Sequence, residues 1–342
     1  MNQRHLQGLS RREFLGGLVL AWTAGLLGLK HESLAAEPPL ETTTLRLLHI
    51  PTELCMAPQY MAEQLQRDEG YTDVQYIKKE GIGEFEVALA SGEANINMHI
   101  APIAIIRLDA RDPIIFLAGR LIGCFEPFGS NQGRSVCDLK GKTVPMPKLR
   151  AGASTFATSM AAYVGLSHKD INCKLHSMAE SMQLLVDGKI DAFIASVPEP
   201  HDLLRSQVVH GHAMVNSTRN QPWSQYFCCM VIGNRNFVHK HPVAAKKALR
   251  AILKATDICS YEQKRAARLL IDKSYAKSYD YILQALRETP YGNWREDNPE
   301  DTMRFYALCL QEVGRIKSNP QKIIAEGTDW RFLNKIKKEL KG

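Results

Sequence analysis

Several short stretches of the chain carry side chains and spacings suited to holding a small molecule. Gly152-Ala153-Ser154-Thr155 stands where a helix of about 155–164 should begin. Small side chains leave backbone N–H groups approachable there, and the helix dipole favours a negative group beside them. Ser154 also suits an N-cap, and the two roles are compatible. Glu53 and Glu199 each follow a strand-like segment, where a carboxylate accepts from an amine or ring N–H, or simply faces water. His99, near the end of the 95–100 segment, suits donation to an anion or a ring acceptor, with a structural role as the alternative. Trp223 and Tyr226 offer either a stacking platform or a packed aromatic pair. Thr52, Glu80, Gly81, Ala101 and Ser196 complete the candidate ligand-binding set, all at or just beyond expected strand ends.

Bond-making chemistry finds less support. There is no nucleophile elbow, no phosphate-binding Gly-Lys loop and no His-x-x-x-His pair, so the chain is expected not to be an enzyme and to need no cofactor. His210 and His212, with His201 or His176, lack a diagnostic metal spacing, and no metal site is expected. The eight cysteines are scattered without a Cys-x-x-Cys, unlike a small disulfide framework, and buried thiols are expected for most. The adjacent Cys228 and Cys229 are expected to pack on a strand rather than to react.

The elements that must position these residues follow from periodicity. Segments at 45–50, 74–77, 95–100, 114–118, 142–146 and 192–195 read as strands, with helices at about 58–67, 84–91, 155–164 and 182–186 between them. Strand and helix in alternation indicate an α/β sheet. Leu89, Gly92, Asn95 and Pro102 recur at the same offsets as Leu185, Gly188, Asp191 and Pro198, as two lobes of similar build would give, with Pro102 and Pro198 expected in loops lining one cleft. Beyond Met230 the pattern turns helical, at 242–256, 262–271, 279–287, 299–313 and 329–340. That tail is expected to return to the first lobe and wrap it.

The N-terminus bears on location. Arg4, Arg11 and Arg12 precede an apolar, Gly-rich stretch that ends at Ser33-Leu34-Ala35-Ala36, the layout of a cleaved export signal. Ser10-Arg11-Arg12-Glu13-Phe14-Leu15 matches the twin-arginine pattern. Residues 1–35 are therefore expected to be a twin-arginine signal peptide, cleaved near Ala35-Ala36, leaving the mature protein in the periplasm. The formal net charge of +7 is concentrated toward the tail, without the interleaved aromatics that would indicate nucleic acid.

Ala57-Pro58-Gln59-Tyr60-Met61-Ala62 resembles the first-helix motif of the nitrate/sulfonate/taurine-type solute-binding proteins. Ala88-Leu89-Ala90-Ser91-Gly92-Glu93-Ala94-Asn95, Asp138-Leu139-Lys140-Gly141-Lys142-Thr143-Val144, Asp187-Gly188-Lys189-Ile190-Asp191-Ala192 and Tyr226-Phe227-Cys228-Cys229-Met230 resemble later segments of that family in the same order. The family also includes thiamine-pyrimidine precursor binders. The resemblance implies a two-lobed periplasmic-binding-protein fold of type II-like build, α/β in class, with a helical C-terminal extension. Lobe 1 would be 44–123 with 223–342, and lobe 2 would be 127–221. The function implied is the binding component of an ABC importer. It would capture a small organic anion or a nitrogen heterocycle and deliver it to a permease and ATPase complex. The twin-arginine translocase would be its partner during export, and a monomer is expected. The alternative is a pyrimidine-precursor synthase-like enzyme of the same fold, whose Cys-rich motif Phe227-Cys228-Cys229-Met230 only partly resembles.

Overall fold

The computed structural model describes residues 37–49, 54–79, 82–123, 125–130, 135–146, 151–167, 169–196, 211–276, 278–291 and 294–340. The expected signal peptide lies outside the described residues. No described helix is long and apolar enough to cross a membrane.

Strand β1 (Thr44–His49) pairs in parallel with β2 (Asp73–Lys78). Between them run two short helices, α1 (Ala57–Met61) and α2 (Glu63–Asp68). Helix α3 (Ile82–Ser91) leads through Gly92 to β3 (Ile96–Ile100), which lies beside β1: the Asn95 N–H donates to the Arg46 carbonyl at 2.8 Å. Helix α4 (Ala101–Asp109) follows directly, and β4 (Ile114–Ile122) comes next. A late strand, β10 (Phe227–Asn234), inserts antiparallel between β3 and β4. The spatial order in this lobe is therefore β2-β1-β3-β10-β4.

The second lobe repeats that order. Strands β6 (Thr143–Met146) and β7 (Asn172–Leu175) pair in parallel, with helix α5 (Ala151–Tyr163) between them in sequence. Helix α6 (Met178–Val186) leads to β8 (Ala192–Ser196), which lies beside β6. Strand β5 (Phe125–Ser130) inserts antiparallel between β8 and β9 (Gly211–Ala213). The order here is β7-β6-β8-β5-β9. In each lobe the antiparallel strand arrives from the other lobe: β5 follows β4 across Gly123, and β10 follows β9 across residues 214–226. Two α/β lobes thus exchange one strand each.

The repeated offsets acquire a structural meaning. Gly92 and Gly188 both adopt positive φ, +81° and +67°, just past the ends of α3 and α6. This left-handed turn is inexpensive for glycine and aims the chain back into the sheet. Pro102 differs from expectation. It lies in the first turn of α4, where its lack of an N–H costs nothing, rather than in a loop. Pro198 lies outside the described residues.

The remaining chain is helical: α7 (Arg235–Lys240), α8 (Pro242–Tyr261), α9 (Gln263–Asp272), α10 (Tyr279–Glu288), α11 (Pro299–Glu312), α12 (Pro320–Gly327) and α13 (Arg331–Glu339). Helices α8, α9, α12 and α13 pack on elements of the first lobe, and α11 packs on both α4 and α5. Helix α8 packs on α1, α2 and β4, fixed by Tyr71 Oη donating to the Ala244 carbonyl at 2.6 Å and Gln66 Nε2 donating to the Ala248 carbonyl at 3.0 Å. The Asp329 N–H donates to the Phe116 carbonyl at 2.9 Å, extending the edge of β4. One glycine is demanded by packing: a Cβ on Gly119 would sit 2.1 Å from the Phe227 ring, where β4 meets the crossing strand.

Candidate functional site

Both lobes aim the carboxyl ends of their parallel strands at the region where the chain crosses, the position at which α/β sheets hold ligands. There, α5 of the second lobe packs against α4 and α11 of the first.

Helix α5 begins at Ala151, four residues before the expected start. Gly152, Ala153 and Ser154 therefore form its first turn rather than a preceding loop, and Ser154 is not the N-cap. The first N–H groups of the helix still lack intrahelical acceptors. Thr155 is buried on the same helix. Ala101, the first residue of α4, is buried, and Ser196 is the last residue of β8. Thr52, Glu53, Glu80, Gly81 and Glu199 lie outside the described residues.

His99 does not present an exposed imidazole. Its ring is buried in a pocket lined by Glu86 of α3, Ala104 and Arg107 of α4, Asp112, and Ile232 of β10. Nδ1 lies 3.3 Å from the Ile100 carbonyl, and Nε2 has no hydrogen-bond partner. Burial lowers its pKa to about 4, so the ring is neutral at physiological pH. Burial also raises the Glu86 carboxyl, while Arg107 pairs with Asp112 at 2.6 Å. The expected donor to a ligand anion is thus a neutral side chain beneath two helices, because β3 is covered along its whole length.

Trp223 is packed rather than offered. Its ring meets Tyr163 of α5 edge-on at 5.4 Å and Phe305 of α11 at 5.6 Å, while Tyr226 stacks on Phe305 at 4.0 Å. The cluster joins the return crossing to helices of both lobes. Cys228 and Cys229 are buried on β10, between β3 and β4. Cys137, Cys173, Cys259 and Cys309 carry free thiols, and burial pushes those of Cys259 and Cys309 up to about 12. Among the described residues no cluster of His, Cys, Asp and Glu has the makings of a metal site. His176 instead pairs with Glu180 at 2.9 Å.

Three features went unread in the sequence. Gln59, inside the motif Ala57-Pro58-Gln59-Tyr60-Met61, is fully buried and ties α1 to the sheet: Nε2 donates to Asn97 Oδ1 at 2.8 Å, and Oε1 accepts from the Met98 N–H at 3.2 Å. At the end of β1, His49, Tyr60, Tyr76 and Tyr275 form an aromatic cluster, with Tyr60 stacked on Tyr275 at 4.3 Å and His49 edge-on to Tyr60 at 4.9 Å. Arg120, on the part of β4 that runs past the expected strand end, is fully buried. A charge inside a strand reads as a strand end in sequence, so no periodic signal could have placed it in the core.

No curated protein sequence matches the chain. Solved structures do. A sulfonate ABC transporter periplasmic sulfonate-binding protein from Methylobacillus flagellatus KT is 16% identical, with a TM-score of 0.65 over 87% of this chain and 94% of its own. The alkanesulfonate-binding protein from Xanthomonas axonopodis pv. citri bound to MOPS is 14% identical, with a TM-score of 0.63 over 85% of this chain and 100% of its own. The periplasmic nitrate-binding protein from Synechocystis PCC 6803 is 16% identical, with a TM-score of 0.68 over 89% of this chain and 90% of its own. At these identities the likeness establishes the periplasmic-binding-protein fold. The family model described as NMT1/THI5 like matches residues 57–266, more than half of the sequence, and with the two strand-exchanged lobes behind that match, the chain belongs to the NMT1/THI5-like family.

Proposed function

We propose that the protein is the substrate-binding component of an ABC importer, exported by the twin-arginine route and active in the periplasm as a monomer. Lobe 1 comprises residues 44–123 and 223–342, and lobe 2 comprises residues 127–221. A small organic anion or a nitrogen heterocycle is captured between them, without chemical change, and passed to a permease and ATPase complex. The observation that carries this reading is the doubled sheet order, with one strand exchanged each way. Two lobes whose chain connections are such crossings can close on a ligand about those segments. The solved relatives named for sulfonate and nitrate binding support it.

In this reading the first turn of α5 supplies backbone donors from one lobe, and Ala101, with Thr52, Glu53, Glu80, Gly81 and Trp223, shapes the other side. Ser196 and Glu199 complete the lobe-2 wall. His99 supports the wall from behind. The burial of Cys228 and Cys229 on β10, between β3 and β4, favours capture over a thiol-dependent synthase.

The test begins with small molecules released from the purified mature protein and identified by mass spectrometry. Calorimetry with the identified compound should give one site, and X-ray scattering should show compaction on binding. Recovery of the compound in chemically altered form would reject the reading. Export is checked separately: Arg11→Lys with Arg12→Lys should hold the protein in the cytoplasm, and normal periplasmic levels of the double variant would exclude the twin-arginine route.

A further inference from the structure

The formal charge of the chain is not spread evenly. From Arg315 to Lys341 eight lysines and arginines stand against three acids, which accounts for five of the formal excess of seven. Helix α13 gathers much of that charge on one side. Its Phe332, Leu333 and Ile336 are buried where it packs on α8 and β4. Arg331, Lys335 and Lys338 follow one another at helical spacing along the side turned away, and all three are exposed. Arg331 bonds Asp329 while its own side chain stays 75% exposed. Among the described residues no carboxylate pairs with Lys335 or Lys338. Cations in a last turn complement the helix dipole, which explains Lys337 and Lys338. The dipole disfavours Arg331 at the first position and does nothing for Lys335 in the middle.

The neighbouring elements extend the same field. Lys240, at the end of α7, is exposed, and His239 beside it interacts electrostatically with Asp329. Glu339, at the end of α13, is already held by Lys246 and Arg250 of α8. The surface has a definite place in the lobe. Helix α7 leaves β10 at Asn234, which faces Ile114 at the start of β4, and Asp329 bonds the Phe116 carbonyl of the same strand. Both α7 and the start of α13 therefore lie at the amino ends of β3 and β4, opposite the strand ends that face the chain crossings.

We propose that this basic face of the first lobe, with Arg331, Lys335 and Lys338 at its centre and Lys240 at its margin, docks on a membrane surface of anionic phospholipid. A specific protein interface needs apolar anchors at its core. Among the described residues of α7 and α13 no large apolar side chain is exposed. A plane of repeated anionic headgroups asks only for cations brought close to it. The proposal goes beyond the importer reading and takes from it only the location beside a membrane. Attachment by this end leaves the cleft open to solvent. The contact is thus a means of retention at the membrane, separate from the face that hands ligand to a permease.

The experiment is co-sedimentation of the mature protein with vesicles of phosphatidylcholine, alone or mixed with phosphatidylglycerol, at low and at high sodium chloride. Binding should grow with the phosphatidylglycerol fraction, vanish on phosphatidylcholine alone, and fall as salt screens the charges. Lys335→Glu with Lys338→Glu should weaken it at least about tenfold. Lys140→Glu with Lys174→Glu, at exposed positions of the second lobe, changes the net charge equally and should leave most of the binding. Circular dichroism checks that both double variants keep the wild-type unfolding midpoint. Binding indifferent to phosphatidylglycerol, or equal loss in the two double variants, would overturn the proposal. Retention on immobilised polyglutamate without binding to vesicles would assign the face to an acidic protein and overturn the lipid assignment. Ligand affinity and compaction should be unchanged in the α13 variant. A wild-type protein that binds vesicles but captures no small molecule would end the importer reading and leave this surface standing.

Discussion

The two lobes share a sheet order but not a build. The first is covered by α8, α11, α12 and α13 in addition to its own helices, and its core is continuous from β1 to the C-terminal helix. The second has one face joined to that core through Ala157, Met160, Ala161 and Ile194 of α5 and β8. Its other face holds, among the described residues, a small cluster of Phe128, Leu185, Ile190 and Phe193 with Met182 and Leu184 packed on it, the two phenyl rings stacked at 5.8 Å. Strand β7 is exposed along its whole length. The same topology thus yields a heavy lobe and a light one. The heavy lobe tolerates features that cost stability, such as buried Arg120 and neutral His99, because many apolar contacts offset them. In the proposed capture the light lobe, with its small apolar cluster, is the lesser body to move.

The largest effect should separate the lobes by stability. Ile252 of α8 is fully buried in the heavy lobe. Ile252→Ala should cost about 2–5 kcal/mol and lower protection across the whole protein. Phe193→Leu in the small cluster should instead speed amide exchange mainly within 125–196. Hydrogen exchange read by mass spectrometry compares the two variants. Equal spread of both defects would mean that the lobes unfold as one unit.

Acid should act first on the heavy lobe. His99 titrates near 6.5 when unfolded but at about 4 in the fold, because burial penalises the imidazolium. The unfolded chain binds more protons between those values, so stability is fully present above pH 6.5 and falls as pH drops toward 4. The group's share is roughly 3 kcal/mol across that window. Glu86, raised by burial, acts in the opposite sense: its contribution grows as pH falls. His99→Gln should flatten the pH dependence measured by urea unfolding. A slope unchanged by the substitution would show that other groups set the acid limit.

Ligand affinity should depend on the light lobe's helix start. Ser154 is the fourth residue of α5, so its N–H is placed to make the first intrahelical bond. Ser154→Pro removes that donor and crowds the preceding turn. Affinity for the identified ligand should drop more than about tenfold, a loss of about 1.4 kcal/mol or more. Calorimetry decides, with circular dichroism confirming that the rest of the protein stays folded.

What could be read in advance follows physical lines. Period, Gly stops and apolar runs placed β1, β3, β8 and most helices, because those signals are local. Strand β5, with Pro127 and Gly129 in its middle, carries no strand pattern. It is held by pairing to β8 and β9, which are distant in sequence. Strand β7 has no buried residue to mark it, and β4 was ended at Ala118, before Gly119 and Arg120. Helix α5 was begun late because Ala-Gly-Ala is a weak helix opening. His99 and Trp223 were placed on the right segments, but their burial depends on how α3 and α4 fold back over β3 and on α11, which lies far from Trp223 in sequence. The family resemblance carried the two-lobe architecture, which local pattern alone left as one interpretation of repeated offsets.

The smallest effect is the most discriminating between the lobes' contributions. Ser154→Ala leaves every backbone N–H of the α5 first turn in place and favours the helix by propensity. If the light lobe binds through backbone dipoles, with the charge carried elsewhere, this substitution should cost less than tenfold in affinity and leave the enthalpy of binding nearly unchanged. If the hydroxyl itself grips the ligand, its loss would remove a hydrogen bond to a charged group, worth about 1.5–3 kcal/mol, and would match or exceed the tenfold step. Comparing Ser154→Ala with Ser154→Pro by calorimetry therefore separates loss of the hydroxyl from distortion of the helix start.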